Sequence, residues 1–312
     1  MLKLDIFFML LVYVIVVTAF ILSHVFISYF MKNYKNDLTK KKNFWLGMFS
    51  ECKKKGTYLL KKSLIKKLKN ATMFAAFSDA YNEAAKNDPH IKSIMYDNQI
   101  QIAEFGSKLK STTMRAFFAY MLSGFGLCEP GKHQCFDDLM LSYLSDDSVY
   151  VHENALLALY SFGNEKSIAE AFAIISERNI FYSEKLLNDG LLKFTGNREK
   201  LAEKLMDIFG KLNECFKVAV INFLRYTGNR KYDTEFICLL DSGDTPTNIK
   251  YCIIRLLSKF HSTQNGEAIL KALEDNYNSE SWEPAAVAAS SLVPYNFENI
   301  IKVLIRALNS KA

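Results

Sequence analysis

The sequence predicts an all-α chain in which one transmembrane helix precedes a superhelix of stacked helix hairpins. Three observations carry that prediction. Residues 6–31 hold no formal charge. An apolar triplet occurs six times at spacings of 32 to 37 residues. No alternating strand pattern of useful length interrupts the 312 residues. The triplet is clearest at Ala155, Leu159 and Phe162, four and then three positions apart, which a 3.6-residue turn places on one face. It precedes itself as Phe118, Leu122 and Phe125. It returns as Leu187, Leu191 and Phe194, as Ala219, Phe223 and Tyr226, as Ile253, Leu257 and Phe260, and as Ala288, Leu292 and Tyr295. One buried face repeated at such a period is the signature of a helical solenoid.

The first element is the uncharged run, IFFMLLVYVIVVTAFILSHVFISYFM. Its 26 residues would make a helix about 39 Å long, enough to cross a hydrocarbon core of roughly 30 Å with some tilt. A secretory signal peptide would be about half as long, with its charge in front and a small-residue cleavage site behind. Here Lys32, Lys35, Lys40, Lys41 and Lys42 follow the run, so the expectation is an uncleaved anchor. The positive-inside bias then puts residues 1–5 outside the cell membrane and the C-terminal part in the cytoplasm. His24 lies within the span without an ionisable partner and is read as a neutral group near the interface.

The second element is a basic segment. The overall charge of +6 hides an uneven distribution, with 13 lysines against Asp37 and Glu51 between Lys32 and Lys69. That segment carries +11 and residues 70–312 carry −5. Leu60, Leu64 and Leu68 align on a helix while Lys62, Lys66 and Lys69 fall largely elsewhere. Such a collar suits anionic inner-leaflet lipids, where each surface lysine contributes about 1 kcal/mol. The contact residues expected are Lys40, Lys41, Lys42, Trp45, Lys53, Lys54, Lys55, Lys61, Lys62, Lys66 and Lys67. The blander account is a solvated collar that only fixes orientation. Nucleic acid is not favoured, because lysines beside a membrane span need no such partner.

From Ala71 ordinary amphipathic helices begin. Asp88 and Pro89 form an N-cap and first-turn pair that predicts a helix from about His90 to Leu109. Between the repeated faces lie second amphipathic segments at 134–144, 165–176, 198–210, 231–240, 266–277 and 297–308. Gly126, Gly163, Gly196 and Gly228 follow four of the repeated faces, and Pro246 and Pro284 stand near the starts of the last two. Six cysteines fall mostly inside helical patterns, which favours reduced thiols over a disulfide framework.

Asp146, Asp147, Val151, Ala155, Ala158, Leu159 and Gly163 resemble the second helix of a HEAT repeat, in particular the short bacterial type of phycobilisome-lyase-like proteins. The arginine usual after the valine is His152 here. The resemblance covers roughly residues 110–312 and implies a HEAT-like solenoid that docks a partner on the face lined by its second helices. The domains expected are therefore a short tail at 1–5, a span at 6–31, a basic juxtamembrane segment at 32–70 and a cytoplasmic solenoid at 71–312. An accessory or lyase-like enzyme is the alternative that the resemblance raises, but no residue can be assigned to such an activity.

Chemistry is otherwise sparse. Cys128, His133 and Cys135 lie within eight residues, yet zinc wants a fourth ligand, for which His152 is only a guess, and the spacing fits no common pattern, so no metal is assigned. There is no phosphate loop, dinucleotide fingerprint, nucleophile elbow or paired-histidine motif, and hence no cofactor or small-molecule substrate to name. The remaining signal is on the outward face of three successive repeats. Two before, two after and six after the first triplet position stand Lys185, Asp189 and Lys193, then Lys217, Ile221 and Arg225, then Tyr251, Arg255 and Lys259. Six bases form a ladder suited to an acidic segment of a membrane-associated protein. The competing account is that Lys193, Arg225 and Lys259 merely complement helix C-termini, by about 0.3 to 1 kcal/mol each.

Overall fold

A computed structural model describes residues 2–56, 58–125, 132, 134–178, 182–276, 282–295 and 300–309, with side chains from Phe7 onward. The chain is all-helical, with no strand among the described residues. It divides into two compact units, Met1–Leu109 and Lys110–Ala312. The first unit runs past residue 71 to Leu109, and the helix Ala71–Asn87 within it packs on the N-terminal helix.

The first unit is built on α1 (Leu2–Lys55), one helix of 54 residues. Every residue from Phe7 to Met31 is exposed, and this part is long and apolar enough to cross a membrane. The helix does not end with the apolar run. It continues through the lysine collar and buries Trp45, Phe49 and Cys52, spaced four and three apart, against α3 (Ala71–Asn87). The Trp45 indole N–H donates to the Met73 carbonyl at 3.2 Å, and the rings of Trp45 and Phe49 meet Phe77 edge to face at 5.0 and 5.7 Å. Leu60 and Leu68, on either side of α2 (Lys62–Lys67), are buried as well. The apolar half of the collar is therefore spent on a protein core. Trp45, fully buried, is not a membrane contact.

Asp88 caps as expected, accepting from the His90 N–H at 3.0 Å, but the helix expected over 90–109 is broken. A 3-10 turn (Pro89–Lys92) leads into α4 (Ser93–Asp97), and α5 (Gln99–Ser107) starts anew after Asn98. The Asn98 side chain explains the break. Its oxygen accepts from the Leu60 N–H at 2.8 Å, and its NH2 donates to the carbonyls of Tyr58 and Ile94, both at 2.7 Å. A buried asparagine that satisfies the extended connection between α1 and α2 bends its own helix in doing so.

The second unit contains α6 (Thr112–Gly124), α7 (Gln134–Tyr143), α8 (Val149–Phe162), α9 (Glu165–Glu177), α10 (Glu184–Lys193), α11 (Arg198–Asp207), α12 (Glu214–Thr227), α13 (Asp233–Asp241), α14 (Thr247–Leu257), α15 (Thr263–Asn276), α16 (Glu283–Ser291) and α17 (Ile300–Leu308). The even-numbered helices α6 to α16 pack each on the next, in one row. Across from them α7 packs on α9 and α9 on α11, and α13, α15 and α17 also pack in succession. The even row carries the repeated triplet. Of those residues only Tyr226 is exposed, at 54%, while Phe260 and Tyr295 are half-buried and the rest are buried.

Polar ties join one hairpin to the next. Arg115 of α6 donates through Nε to the Asp146 carboxylate at 2.6 Å, and Arg178 donates to the carbonyls of Leu144 at 2.6 Å and Asp146 at 3.1 Å. His152 is buried and donates from Nε2 to the Asp146 carbonyl. Burial pushes the Asp146 carboxyl up, but hydrogen bonds from the Ser148 N–H and Arg115 outweigh it and hold the pKa below the usual value. Asp137 on α7, fully buried, accepts from Ser167 Oγ at 2.6 Å and Asn164 Nδ2 at 2.8 Å. Asp233 on α13 accepts from Asn265 at 3.2 Å in the same way. At the end of α12, Gly228 takes φ +78, a left-handed stop that a side chain would strain. Gly126 lies outside the described residues.

Candidate functional site

The outward face of α10, α12, α14 and α16 holds two adjoining hollows that share Arg225, Tyr226 and Arg255 as a common wall. The local sequence explains the wall. On α12 the run Val218, Ala219, Val220 and Ile221 is buried in full, because this helix has neighbours on both sides and behind it. Only the strip at Asn222, Arg225 and Tyr226 is left to face the hollows. On α14 and the turn after it the corresponding strip is Tyr251, Arg255, Ser258 and Lys259.

Four of the six predicted ladder bases are brought together here: Lys185, Arg225, Arg255 and Lys259. The other two are not. Lys217 is half-buried, with its ammonium 5.9 Å from the centre of the Phe209 ring, and lines neither hollow. Lys193 is exposed at the end of α10, outside both. Ile221, assigned to the outward face, is buried completely, so the ladder is interrupted in the middle of α12. The spacing rule placed one column per helix, but a helix flanked on three sides keeps a narrower free strip than the rule allows.

The two arginines are held by tyrosines. The Arg225 guanidinium lies 5.1 Å from the centre of the Tyr226 ring, and that of Arg255 lies 5.4 Å from the Tyr251 ring while Nη1 donates to Tyr251 Oη at 3.1 Å. Such stacking contributes about 0.5 to 1 kcal/mol at exposed sites and fixes the plane of the fork. Neither arginine meets a carboxylate within ion-pair distance among the described residues, although both line the hollows. Lys259 differs: its ammonium donates to the Arg225 carbonyl at 2.5 Å, in the last turn of α12 rather than of its own helix. The bases sit in the centre. Towards α10, Glu184 and Asp189 offset Lys185, and towards α16 the lining is Val287, Ser290 and Ser291.

Sequence reasoning missed Tyr226, which it placed in the buried triplet; the arginine directly before it was the available signal. Burial disfavours the thiolate at both nearby cysteines. Burial raises the Cys252 pKa to about 11, and burial followed by Glu184 and Glu214 raises that of Cys215, whose S–H donates to the Tyr182 carbonyl at 3.2 Å. No cluster of metal-binding side chains occurs among the described residues. Cys128 and His133 of the candidate zinc loop lie outside them, and Cys135 is a free thiol.

The collar lysines fare unevenly as membrane contacts. Lys41 pairs with Asp37 at 2.6 Å, Lys42 with Glu83 at 2.5 Å, Lys53 with Asp88 at 2.9 Å and Lys55 with Glu51 at 3.8 Å. The Lys53 hydrogen bond, then that of the His90 N–H, holds the Asp88 carboxyl below the ordinary carboxylate range. Lys67 lies 4.6 Å over the Phe44 ring, and Lys40, Lys54 and Lys61 are exposed. Along α1, Lys53, Lys54 and Lys55 are about 33 to 36 Å beyond Met31, several Debye lengths of about 8 Å at physiological salt. Lys62 and Lys66 line a cavity of their own. Comparison with known protein families, curated proteins and solved structures found no match to this chain.

Proposed function

We propose that this protein is a membrane-anchored, non-enzymatic docking platform, whose second unit is a HEAT-like solenoid that receives an acidic protein segment in the groove of α10, α12, α14 and α16. The observation that carries this reading is the pair Arg225 and Arg255, each stacked on a tyrosine and each without an acidic partner, at the wall common to two hollows. Guanidinium forks fixed in plane match carboxylates in two-point contact, and flanking tyrosines add apolar area at low entropic cost. The hairpin-on-hairpin packing and the ties at Asp146 and His152 support the solenoid assignment. In this reading α1 spans the cell membrane with its N-terminus outside and the rest in the cytoplasm, and it confines the groove near other membrane-bound proteins. Tethering of this kind raises effective concentration without new contacts.

The test is crosslinking in intact membranes with Arg225→Glu/Arg255→Glu, against Lys193→Glu/Lys217→Glu as a control of equal charge change. Capture of an acidic protein should fall at least ten-fold in the first variant and persist in the second. Equal capture by both variants, with helicity intact, would remove the basis for the groove.

A further inference from the structure

The first unit contains a cavity that the groove does not account for. It lies between α2 and α5, with a volume of about 170 Å³. One buried water needs roughly 10 to 15 Å³ on this measure, so a multi-atom group fits. Its floor is apolar, made by Ile65 and Phe105, both buried to within 6%. Its rim is basic: Lys62, Lys66, Lys69 and Lys108. The only carboxylate on that rim is Glu104, already held by Lys108, and the Lys108 hydrogen bond is what depresses its pKa most.

Some lysines of this unit are occupied, Lys41, Lys42 and Lys53 by an acid and Lys67 by the Phe44 ring, while Lys40, Lys54 and Lys61 are exposed without an ion pair; what sets the rim apart is that its lysines share one opening. Lys62, Lys66 and Lys69 form no ion pair, although α2 and the turn after it hold all three at one opening. Collecting unpaired ammonium groups around a cavity costs like-charge repulsion, which a bound anion removes. A single carboxylate is a poor match for three free lysines. A phosphate monoester, with a charge of about −1.5 to −2 at neutral pH and three acceptor oxygens, is a good one. The side-chain oxygen of Gln101, buried in the same lining with no donor, offers an acceptor to a hydroxyl beside the phosphate.

We infer that this cavity binds a phosphate monoester carried on an apolar body, the phosphate at the Lys62, Lys66 and Lys69 rim and the body on Ile65 and Phe105. The carrier is a soluble metabolite or a lipid headgroup, and the two are separable by experiment. The inference is independent of the groove and survives its failure.

The test uses the full chain in phosphatidylcholine nanodiscs titrated with phenyl phosphate, followed by calorimetry. Saturable one-site binding is expected, at least ten-fold tighter than that of inorganic phosphate, which lacks the apolar body. Lys62→Ala/Lys66→Ala should weaken it ten-fold or more, whereas Lys54→Ala/Lys55→Ala should leave it within two-fold. All four side chains are exposed, so circular dichroism should be unchanged in both variants. Repeating the titration in nanodiscs containing phosphatidic acid separates the sources: lost binding assigns the site to the lipid, retained binding to a soluble ester. No saturable binding, or equal loss in the two variants, would overturn the inference.

Discussion

Replacing Asp137 by asparagine should change how the stability of the second unit depends on pH. The carboxylate is fully buried, and burial, its largest influence, raises its pKa from 3.8 to about 6 despite the hydrogen bonds from Ser167 and Asn164. One oxygen takes all the donors, and the other is buried with none. A group whose folded pKa lies above its unfolded value favours the fold fully below pH 3.8 and loses that contribution as pH rises through 6. At 1.36 kcal/mol per unit, about 2 units give about 3 kcal/mol lost between pH 4 and 6. For a unit of this size that is roughly 6 to 12 °C in Tm. Asparagine keeps an acceptor for Ser167 and Asn164 but cannot ionise. The Tm difference between Asp137→Asn and wild type, read by circular dichroism in detergent, should therefore grow in favour of the variant from pH 4 to pH 7. Carboxylates with lowered pKa, such as Asp146, move stability the other way but are common to both proteins and cancel. A difference that stays constant across the window would refute the assignment.

Two further outcomes follow from packing. In a Trp282→Phe background, lipids brominated on their acyl chains should leave the fluorescence of Trp45 unquenched, since the indole is enclosed by Phe77 and Phe49 about 20 Å along α1 from Met31. Strong quenching would restore Trp45 to the membrane surface. Gly190→Ala should destabilise the second unit by about 1 to 3 kcal/mol in thermal melts, because the new methyl would overlap the Tyr160 ring and that ring is fully buried. A neutral result would mean that Tyr160 has room to move.

The repeat was legible because it is written in burial. A column such as Ala155, Leu159 and Phe162 must be apolar wherever a helix has neighbours on both sides, and the period of the column reports the hairpin. The break at Asn98 was not legible, since an asparagine in a helical pattern looks the same whether it faces solvent or binds a strand-like segment 38 residues away. The groove was half legible. Arg225 and Arg255 followed from helical phase, but the buried Ile221 and the exposed Tyr226 depend on where the neighbouring helices sit, which phase alone does not encode. For the collar the amphipathic pattern was legible, but not that its apolar side would be buried in the protein at Trp45, Phe49 and Leu68. Trp45, Phe49 and Leu68 would suit lipid or protein equally, and only α3 and α5 decide between them.

The continuity of α1 past its apolar run has a mechanical meaning. A flexible tether would let the span tilt freely beneath the rest of the unit, whereas an unbroken helix makes tilt and position the same variable. With about 20 Å of helix between Met31 and Phe44, a tilt change of about 10° would carry the core at Phe44 and Trp45 sideways by roughly 3 Å. Tilt in turn follows the thickness of the surrounding bilayer. On the membrane-anchored reading proposed above, the first unit is therefore a lever whose load, the packed aromatic core, would register the thickness of the bilayer around its other arm.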